Sequence, residues 1–478
     1  MSVEDHNPRL TDLTDHQSAD APLRENERLD AEENTLRPEF VRRVRDALDA
    51  GESAKVYDLV EPLHPADIAD LFELMDGDDR PLLATAIAEL MSGEVFAELN
   101  YHVREALVDD LPAEDIADIA EQLDTDDAVA MIEDLDEADQ QAVLAEMEPE
   151  DRAAIESALS YPEESAGRLM SRDFVAVPEH LSVGDLIDYL RDNPDLATEF
   201  WEVFIVDAHH HPVGTCLLSW ILRTPRQVAL ADIIQRDQTL IPVGMDQEEV
   251  ALRFQKYALI SAAVVDESGR LVGQITVDDV VHIIQEEAGE DALRLSGAGD
   301  GDINEPLELT IKSRMWWLFI NLWTAIAAGG VIAFFSSTIE KLVALSAIMT
   351  IVSGMGGNAA TQTMAVTVRA LATNQLTSSN TVRMILRELM IALANGFGLG
   401  LFMALGALLV YHDIKLSAVL WAAMMIESVT AGLSGILIPL ALEKLGIDPA
   451  HTSTVFVTTM TDIIGFFTFL GLATVFLV

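Results

Sequence analysis

The sequence predicts a mixed fold of unlike parts. These are an all-α acidic helical-repeat N-terminal domain, a pair of α/β modules, a linking helix and a five-helix α-helical transmembrane domain. Three observations predict it: the net negative charge is confined to the first 311 residues, two different internal repeats fill that stretch, and long apolar runs fill the rest. From Lys312 to Val478 there are eight basic and seven acidic residues. Of the chain's 29 basic and 80 acidic residues, 21 and 73 therefore precede Lys312, a net charge of −52 against +1. Nucleic acid is excluded as a partner of the whole chain, because phosphate binding needs clustered Lys and Arg. One cysteine, Cys216, excludes an intramolecular disulfide and a cysteine-based zinc site.

Residues 1–38 are polar, acidic and poor in large apolar groups, which predicts a disordered tail. A helical-repeat domain is expected over 39–165. Leu63-His64-Pro65-Ala66-Asp67-Ile68-Ala69-Asp70 recurs as Leu111-Pro112-Ala113-Glu114-Asp115-Ile116-Ala117-Asp118, an offset of 48 residues. That length accommodates two helical hairpins. Each copy opens with Pro and acids, which suits the first turn of a helix and its dipole.

Over 166–284 short β-branched runs alternate with amphipathic helices. Ile205-Val206-Asp207-Ala208-His209-His210-His211-Pro212-Val213-Gly214 matches Val264-Val265-Asp266-Glu267-Ser268-Gly269-Arg270-Leu271-Val272-Gly273, 59 residues on. Both read strand, turn, strand. Helices are expected before each copy, at 181–192 and 247–258, and after the second, at 277–287. A linking helix is expected over 285–312.

The transmembrane domain, 313–478, is read as five spans. Residues 315–335 carry no charge and can cross about 30 Å of hydrocarbon as a helix. Residues 342–368 and 389–412 lack Asp, Glu, Lys and Arg; 416–442 carry Glu427 alone and 449–478 carry Asp462 alone. Lys312, Arg314, Arg369, Arg383 and Arg387 fall on one side, which places the large N-terminal part in the cytoplasm and the C-terminus outside. No hydrophobic signal segment opens the chain, which agrees. Small residues crowd the spans (Gly329-Gly330, Gly354, Gly356-Gly357, Gly396, Gly398, Gly400, Gly432, Gly435), as close packing of helices in lipid requires. A break in the second span is expected at Gly356-Gly357.

The paired modules resemble cystathionine-β-synthase (CBS) domains. With them, the order of parts resembles the MgtE magnesium channels over about residues 40–478. The segments that carry this are Gly356-Gly357-Asn358-Ala359-Ala360-Thr361-Gln362-Thr363 with Arg369-Ala370-Leu371-Ala372, Gly446-Ile447-Asp448-Pro449-Ala450, Thr461-Asp462-Ile463-Ile464-Gly465 and the acidic Glu286-Glu287-Ala288-Gly289-Glu290-Asp291. The resemblance implies a homodimer in the cytoplasmic (inner) membrane, with one pore on the two-fold axis, that imports Mg²⁺ and is closed by cytosolic Mg²⁺.

Asp462 is the leading functional residue on physical grounds. An ionised carboxylate at mid-membrane costs at least about 2.5–3.5 kcal/mol on insertion scales, so it belongs on a watery path or bonded to hydroxyls such as Thr458, Thr459 or Thr461. The resemblance makes it the pore acid and Asn358 the pore gate; the alternative for Asn358 is satisfying carbonyls freed at the break. It makes Asp246, Glu248, Asp279, Glu287, Glu290, Asp291 and Asp448 regulatory Mg²⁺ ligands. Singly these read as solvated acids, and Asp448 equally as a helix cap. Glu114 and Asp118, four apart on one helix face, resemble acids by which the helical domain meets the CBS pair. Thr276 and Asp279 stand where family members often hold a ribose, so ATP at the second module is open; the first module has no acid there. The sequence departs from the family pattern at Thr361, Thr454-Val455, His282 and Ala258. Glu427 has no family counterpart and is left between a structural hydrogen bond and a secondary ion contact. The turn His209-His210-His211 reads as solvated rather than metal-binding.

Two rival readings remain: a coupled carrier exchanging Mg²⁺ for another cation, and a membrane-bound nucleotide or Mg²⁺ sensor that transports nothing. The first is weakened by the lack of an evident inverted repeat, the second by Asp462. An enzyme is not expected, since no nucleophile–base set or phosphate loop is evident.

Overall fold

Pro65 and Pro149 stand at the first helical position, where the missing N–H costs nothing, and each opens a helix of the N-terminal part. A computed structural model gives the fold and describes residues 28–30, 35–109, 111–133, 135–194, 196, 200–296 and 303–478. Most of the expected disordered tail lies outside the described residues. Its described remnant is a two-stranded ribbon of β1 (Leu29–Asp30) and β2 (Thr35–Leu36).

The helices that follow are α1 (Pro38–Asp49), α2 (Ser53–Val60), α3 (Pro65–Glu73), α4 (Arg80–Ala86), α5 (Gly93–Glu98), α6 (Tyr101–Val108), α7 (Ala113–Ala120), α8 (Thr125–Glu133), α9 (Glu137–Glu146) and α10 (Pro149–Leu159). The repeated octapeptides begin α3 and α7, so each repeat spans two hairpins as the 48-residue offset requires. One apolar core joins them, with Phe40, Leu71, Phe72, Leu83, Ile87, Met131 and Ile132 fully buried. Arg168, just beyond the repeats, anchors them: its guanidinium reaches Glu133 at 2.9 Å and the Tyr161 carbonyl.

The two α/β modules have the same plan. In the first, β3 (Ala176–Pro178) runs parallel to β4 (Glu202–Val206), which pairs antiparallel with β5 (Pro212–Leu217). Between β3 and β4 lies α11 (Val183–Asp192), opened by a capping box of Ser182 and Asp185. A short helix, α12 (Leu218–Ile221), follows β5. In the second module β6 (Leu240–Pro242) runs parallel to β7 (Ser261–Val265), with β8 (Leu271–Thr276) beside β7 and α13 (Gln247–Tyr257) between β6 and β7. The matched turns are built alike. Asp207 accepts from the N–H groups of His209 and His211 at 2.8 and 2.9 Å, and Asp266 from those of Ser268 and Arg270 at 2.8 and 2.9 Å. The bonds from His211 and His209 hold the Asp207 carboxyl at about 2, and the Ser268 hydroxyl, donating to Asp266 at 2.7 Å, joins the N–H groups in holding that carboxyl below the usual range. The histidines of the first turn thus serve the turn itself, His210 in the left-handed region and His211 Nδ1 at 3.0 Å from Asp207.

After β8 a single helix, α14 (Val277–Ser296), runs on through residue 285, where a separate linking helix was expected to begin. Five long helices follow: α15 (Leu307–Phe334), then, past the short α16 (Ser336–Lys341), α17 (Ala344–Ala372), α18 (Thr381–Tyr411), α19 (Ile414–Lys444) and α20 (Pro449–Phe476). Four of them, α15, α18, α19 and α20, are both long and apolar enough to cross a membrane. The fifth, α17, has the length at 29 residues but is diluted by Ser353, Asn358, Thr361, Gln362 and Thr363. α19 is central, packed on α17, α18 and α20. The expected break at Gly356-Gly357 is absent, and α17 runs through it. A glycine in a helix interior costs about 1 kcal/mol relative to alanine. Here Gly356 gives space to a neighbouring side chain rather than bending the helix. The same holds at Gly396, Gly400, Gly432 and Gly435, where an added Cβ would press on α18, α19 or α17 at 2.7–3.3 Å, whereas Gly329, Gly330, Gly354, Gly357 and Gly398 meet nothing within 4 Å.

The described residues form two compact units. One runs up to Asp246 and includes Ser261–Ile275; the other comprises Gln247–Ile260 and Thr276–Val478.

Candidate functional site

Asp462 lies midway along α20 and is partly exposed. Its Oδ1 accepts a hydrogen bond from the hydroxyl of Ser353 on α17. Two of the three threonines proposed from sequence as its partners, Thr459 and Thr461, bond elsewhere. Thr459 donates to the Val455 carbonyl at 2.6 Å, and Thr461 to those of Val457 and Thr458 at 3.2 and 2.9 Å. A Thr in a helix interior has its own backbone carbonyls within reach, so a carboxylate there draws its partner from a facing helix.

Behind this pair sits Glu427 of α19, 1% exposed. Neither of its carboxyl oxygens has a hydrogen-bond partner among the described residues. Its side chain fills the spaces left by two glycines. A Cβ on Gly465 would stand 2.7 Å from Oε2, and one on Gly356 would overlap Oε1. Gly356 is three residues after Ser353, and Gly465 three after Asp462. Residues three apart share a helix face, with Cβ positions about 5–6 Å apart. Glu427 therefore rests on the same faces that carry the Ser353–Asp462 bond. The structural hydrogen-bond role weighed for it from sequence is not what the structure shows.

Asn358 is exposed one turn along α17 and makes no side-chain hydrogen bond among the described residues. With α17 unbroken there are no freed carbonyls for it to satisfy. Thr361 returns its hydroxyl to the Gly357 carbonyl at 2.9 Å.

Asp448 combines the two roles considered for it. As the cap of α20 its Oδ1 accepts from the Ala450 N–H at 2.8 Å, and its Oδ2 accepts from Arg294 of α14 at 3.2 Å. The same guanidinium binds Glu290, one turn earlier on α14. Beside it the Thr454 hydroxyl donates to the Leu295 carbonyl at 2.7 Å. The end of α14 is thus tied to the first turns of α20 by a cation between two of the expected regulatory acids. Arg294 went unnoticed in sequence, although its position four residues after Glu290 is the ordinary spacing of a helical ion pair.

Further back on the same helix, Glu287 accepts from Gln247 of α13 at 2.7 Å, with Glu248 half-buried next to Gln247. Asp279 accepts from the Thr276 hydroxyl at 2.7 Å and from its N–H at 3.3 Å, closing the start of α14. Burial pushes its carboxyl above the usual range, against those bonds. The first module ends its strand in Leu217, which caps nothing. Asp246 is exposed four residues beyond β6, where its backbone bridges to Ser165. Glu114 and Asp118 lie exposed on α7, opposite the buried Ile116, Ala117 and Ala120. The Asp291 side chain lies outside the described residues. Among the described residues no three His, Cys, Asp or Glu side chains converge as a ready metal site.

Comparison with known proteins is consistent along the chain. Residues 349–472 match the profile of the MgtE divalent cation transporter, residues 63–164 that of the MgtE intracellular N domain and residues 230–286 that of the CBS domain. The chain is 32% identical over 324 residues to the magnesium transporter MgtE of Enterococcus faecalis, covering 68% of this chain and 71% of that one. It is 29% identical over 448 residues to the magnesium transporter MgtE of Thermus thermophilus, covering 90% and 97%. Among solved structures, the cytosolic domain of the Mg²⁺ channel MgtE in complex with ATP is similar over 51% of this chain and 99% of that one, at 28% identity and a TM-score of 0.47.

Proposed function

The chain belongs to the MgtE family of divalent cation transporters, and on that premise we propose that it imports Mg²⁺ through a pore lined by Asp462 and closed by cytosolic Mg²⁺. It is a multi-pass membrane protein, and Mg²⁺ is the ion it transports. The observation that carries the pore assignment is a partly exposed carboxylate midway along α20, fixed by one hydroxyl and matched by no Lys or Arg on that helix. In a two-fold dimer two such carboxylates face each other across the axis. Mg²⁺ gives up its waters reluctantly, so the pair holds a largely hydrated ion through those waters and selects on the size of the complex. Asn358 stands on the exposed face of α17 as the gate residue.

Regulation rests on the acids of the cytoplasmic part, Asp246, Glu248, Asp279, Glu287, Glu290, Asp291 and Asp448, with Glu114 and Asp118 on the helical domain. The donor set around Glu290 and Asp448 suits a cation, since it already converges on the Arg294 guanidinium. Bound among these acids, Mg²⁺ supplies positive charge. Uncompensated, the acids repel and the cytoplasmic assembly loosens; compensated, they pack, and α14 draws on the start of α20 through Arg294 and Thr454. The compact state binds the ion better, so the ion shifts the population towards it. Thr276 and Asp279 together offer a hydroxyl and a carboxylate suited to a ribose, and ATP at that module belongs to the same proposal. The domains are taken as 1–38, 39–165, 166–284, 285–312 and 313–478, with the N-terminus cytoplasmic and Val478 outside the inner membrane.

The test is flux into proteoliposomes carrying the purified protein. Mg²⁺ entry proportional to driving force is expected, while saturable entry that requires a counter-cation inside would make the protein a carrier. A reporter fused after Val478 and active only in the cytosol would overturn the topology.

A further inference from the structure

Glu427 is fully buried among membrane helices, yet both of its oxygens are without a hydrogen-bond partner among the described residues. A buried carboxylate left so is costly, and removal of its solvation is repaid only by a counter-charge or several donors. The chain offers neither. There is no Lys or Arg between Lys341 and Arg369, between Arg387 and Lys415, between Lys415 and Lys444, or after Lys444. Protonation alone would leave the same two oxygens without partners. The space for the carboxylate is nevertheless made deliberately, by the absence of a Cβ at both Gly356 and Gly465. These glycines share helix faces with Ser353 and Asp462, whose hydrogen bond uses one Asp462 oxygen and leaves the other for a ligand.

We propose that Glu427, with Asp462 and the Ser353 hydroxyl, forms a cation subsite in the wall of each protomer, set back from the pore axis and taking a divalent ion that has shed part of its hydration shell. The proposal rests on the transporter reading and goes beyond it in adding a second carboxylate per protomer. The oxygen-only donor set is of the hard kind that Mg²⁺ and Mn²⁺ accept. The tightness of the glycine cradle means that Glu427 meets the ion directly, while Asp462 keeps its water-mediated hold from the pore side. An ion leaving the subsite passes to Asp462, so the subsite raises occupancy of the pore acid at low external Mg²⁺.

Crystals of the full-length protein soaked in Mn²⁺, the probe ion, test this by anomalous diffraction. A peak at the Glu427 carboxylate is expected in the intact protein and is expected to vanish in Glu427→Gln. In proteoliposomes the same variant should need about tenfold more external Mg²⁺ for half-maximal flux, equivalent to about 1.4 kcal/mol, with flux at saturating Mg²⁺ within about a factor of two. A map with Mn²⁺ peaks elsewhere and none at Glu427 overturns the proposal, as does a peak that persists in Glu427→Gln. Should that variant fail to fold, the map of the intact protein decides, and Ser353→Ala is expected to lower the peak's occupancy. A peak at Glu427 without Mg²⁺ flux leaves the subsite standing and rejects the transport reading; flux without the peak does the reverse.

Discussion

The two parts of the chain treat the same chemical group in opposite ways. Before Lys312 there are 73 acids, none of them buried among the described residues; after it there are seven, and two of these sit in the middle of membrane helices. An acid on the cytoplasmic part carries little information by itself, because solvation makes it cheap. An acid at mid-membrane must be explained individually, because hydrocarbon makes it costly. Glu114 and Asp462 illustrate the contrast. The first lies exposed on α7 and could be exchanged without touching the core, while the second holds Ser353 across two helices.

The largest effect should come from the membrane acid. Asp462→Asn keeps the shape and removes two charges per dimer facing a divalent ion. At an effective dielectric of about 20 a contact pair of unit charges is worth a few kcal/mol, and about 1.4 kcal/mol is already tenfold in occupancy. Mg²⁺ flux at matched expression is expected to fall by at least tenfold while the protein still purifies folded. Near-normal flux would erase the contrast between the two classes of acid.

Next comes removal of a whole set of surface acids. A chain lacking residues 1–160 loses Glu114, Asp118 and the rest of the helical domain. It is expected to conduct and to close only at higher cytosolic Mg²⁺. Closure at an unchanged concentration would show that the domain takes no part in sensing.

Neutralising Glu287, Glu290 and Asp291 together should act more subtly. It relieves repulsion and also removes ligands, so the dependence of closure on Mg²⁺ becomes shallower. It also frees Arg294 from Glu290, leaving Asp448 as its partner. An unchanged slope and midpoint would return these acids to the solvated majority.

A smaller effect is expected at Asp279, the cytoplasmic acid most like the membrane pair in being partly buried. Its carboxyl is raised above the usual range by burial, so the folded protein holds the proton more firmly than the unfolded chain. The stability it contributes is therefore present below the unfolded value and is lost as pH rises through the folded one. In chelator, Asp279→Asn is expected to flatten this loss, with melting at pH 7 equal to or above that of the parent and below it at pH 4. A parallel shift at both pH values would mean that Asp279 acts only as the cap of α14. Smallest of all, Glu114→Gln with Asp118→Asn should change stability by no more than about 0.5 kcal/mol in urea unfolding, as for solvated surface groups.

Much of this organisation is legible in the sequence for the same reason that the acids differ. Alternating apolar patterns mark the modules, and charge-free runs mark the membrane helices. Asp462 stands out because nothing near it in sequence is charged. Its partner does not, because Ser353 lies 109 residues away and the contact exists only after α17 and α20 pack. Arg294 and Asp448 meet across a separation of 154 residues for the same reason. The pair Gly356-Gly357 reads as a break in sequence because composition cannot distinguish a bend from the space that Gly356 leaves. Glu427 fills that space, and the filling becomes visible only in three dimensions.

The central claim is that the ion conducted is also the ion that closes the pore. Single-channel recording from excised patches, with Mg²⁺ varied on the cytosolic face alone, tests it most directly. Open probability is expected to fall as cytosolic Mg²⁺ rises, with unitary current through the open pore persisting at low cytosolic Mg²⁺. An open probability independent of cytosolic Mg²⁺ would contradict the account.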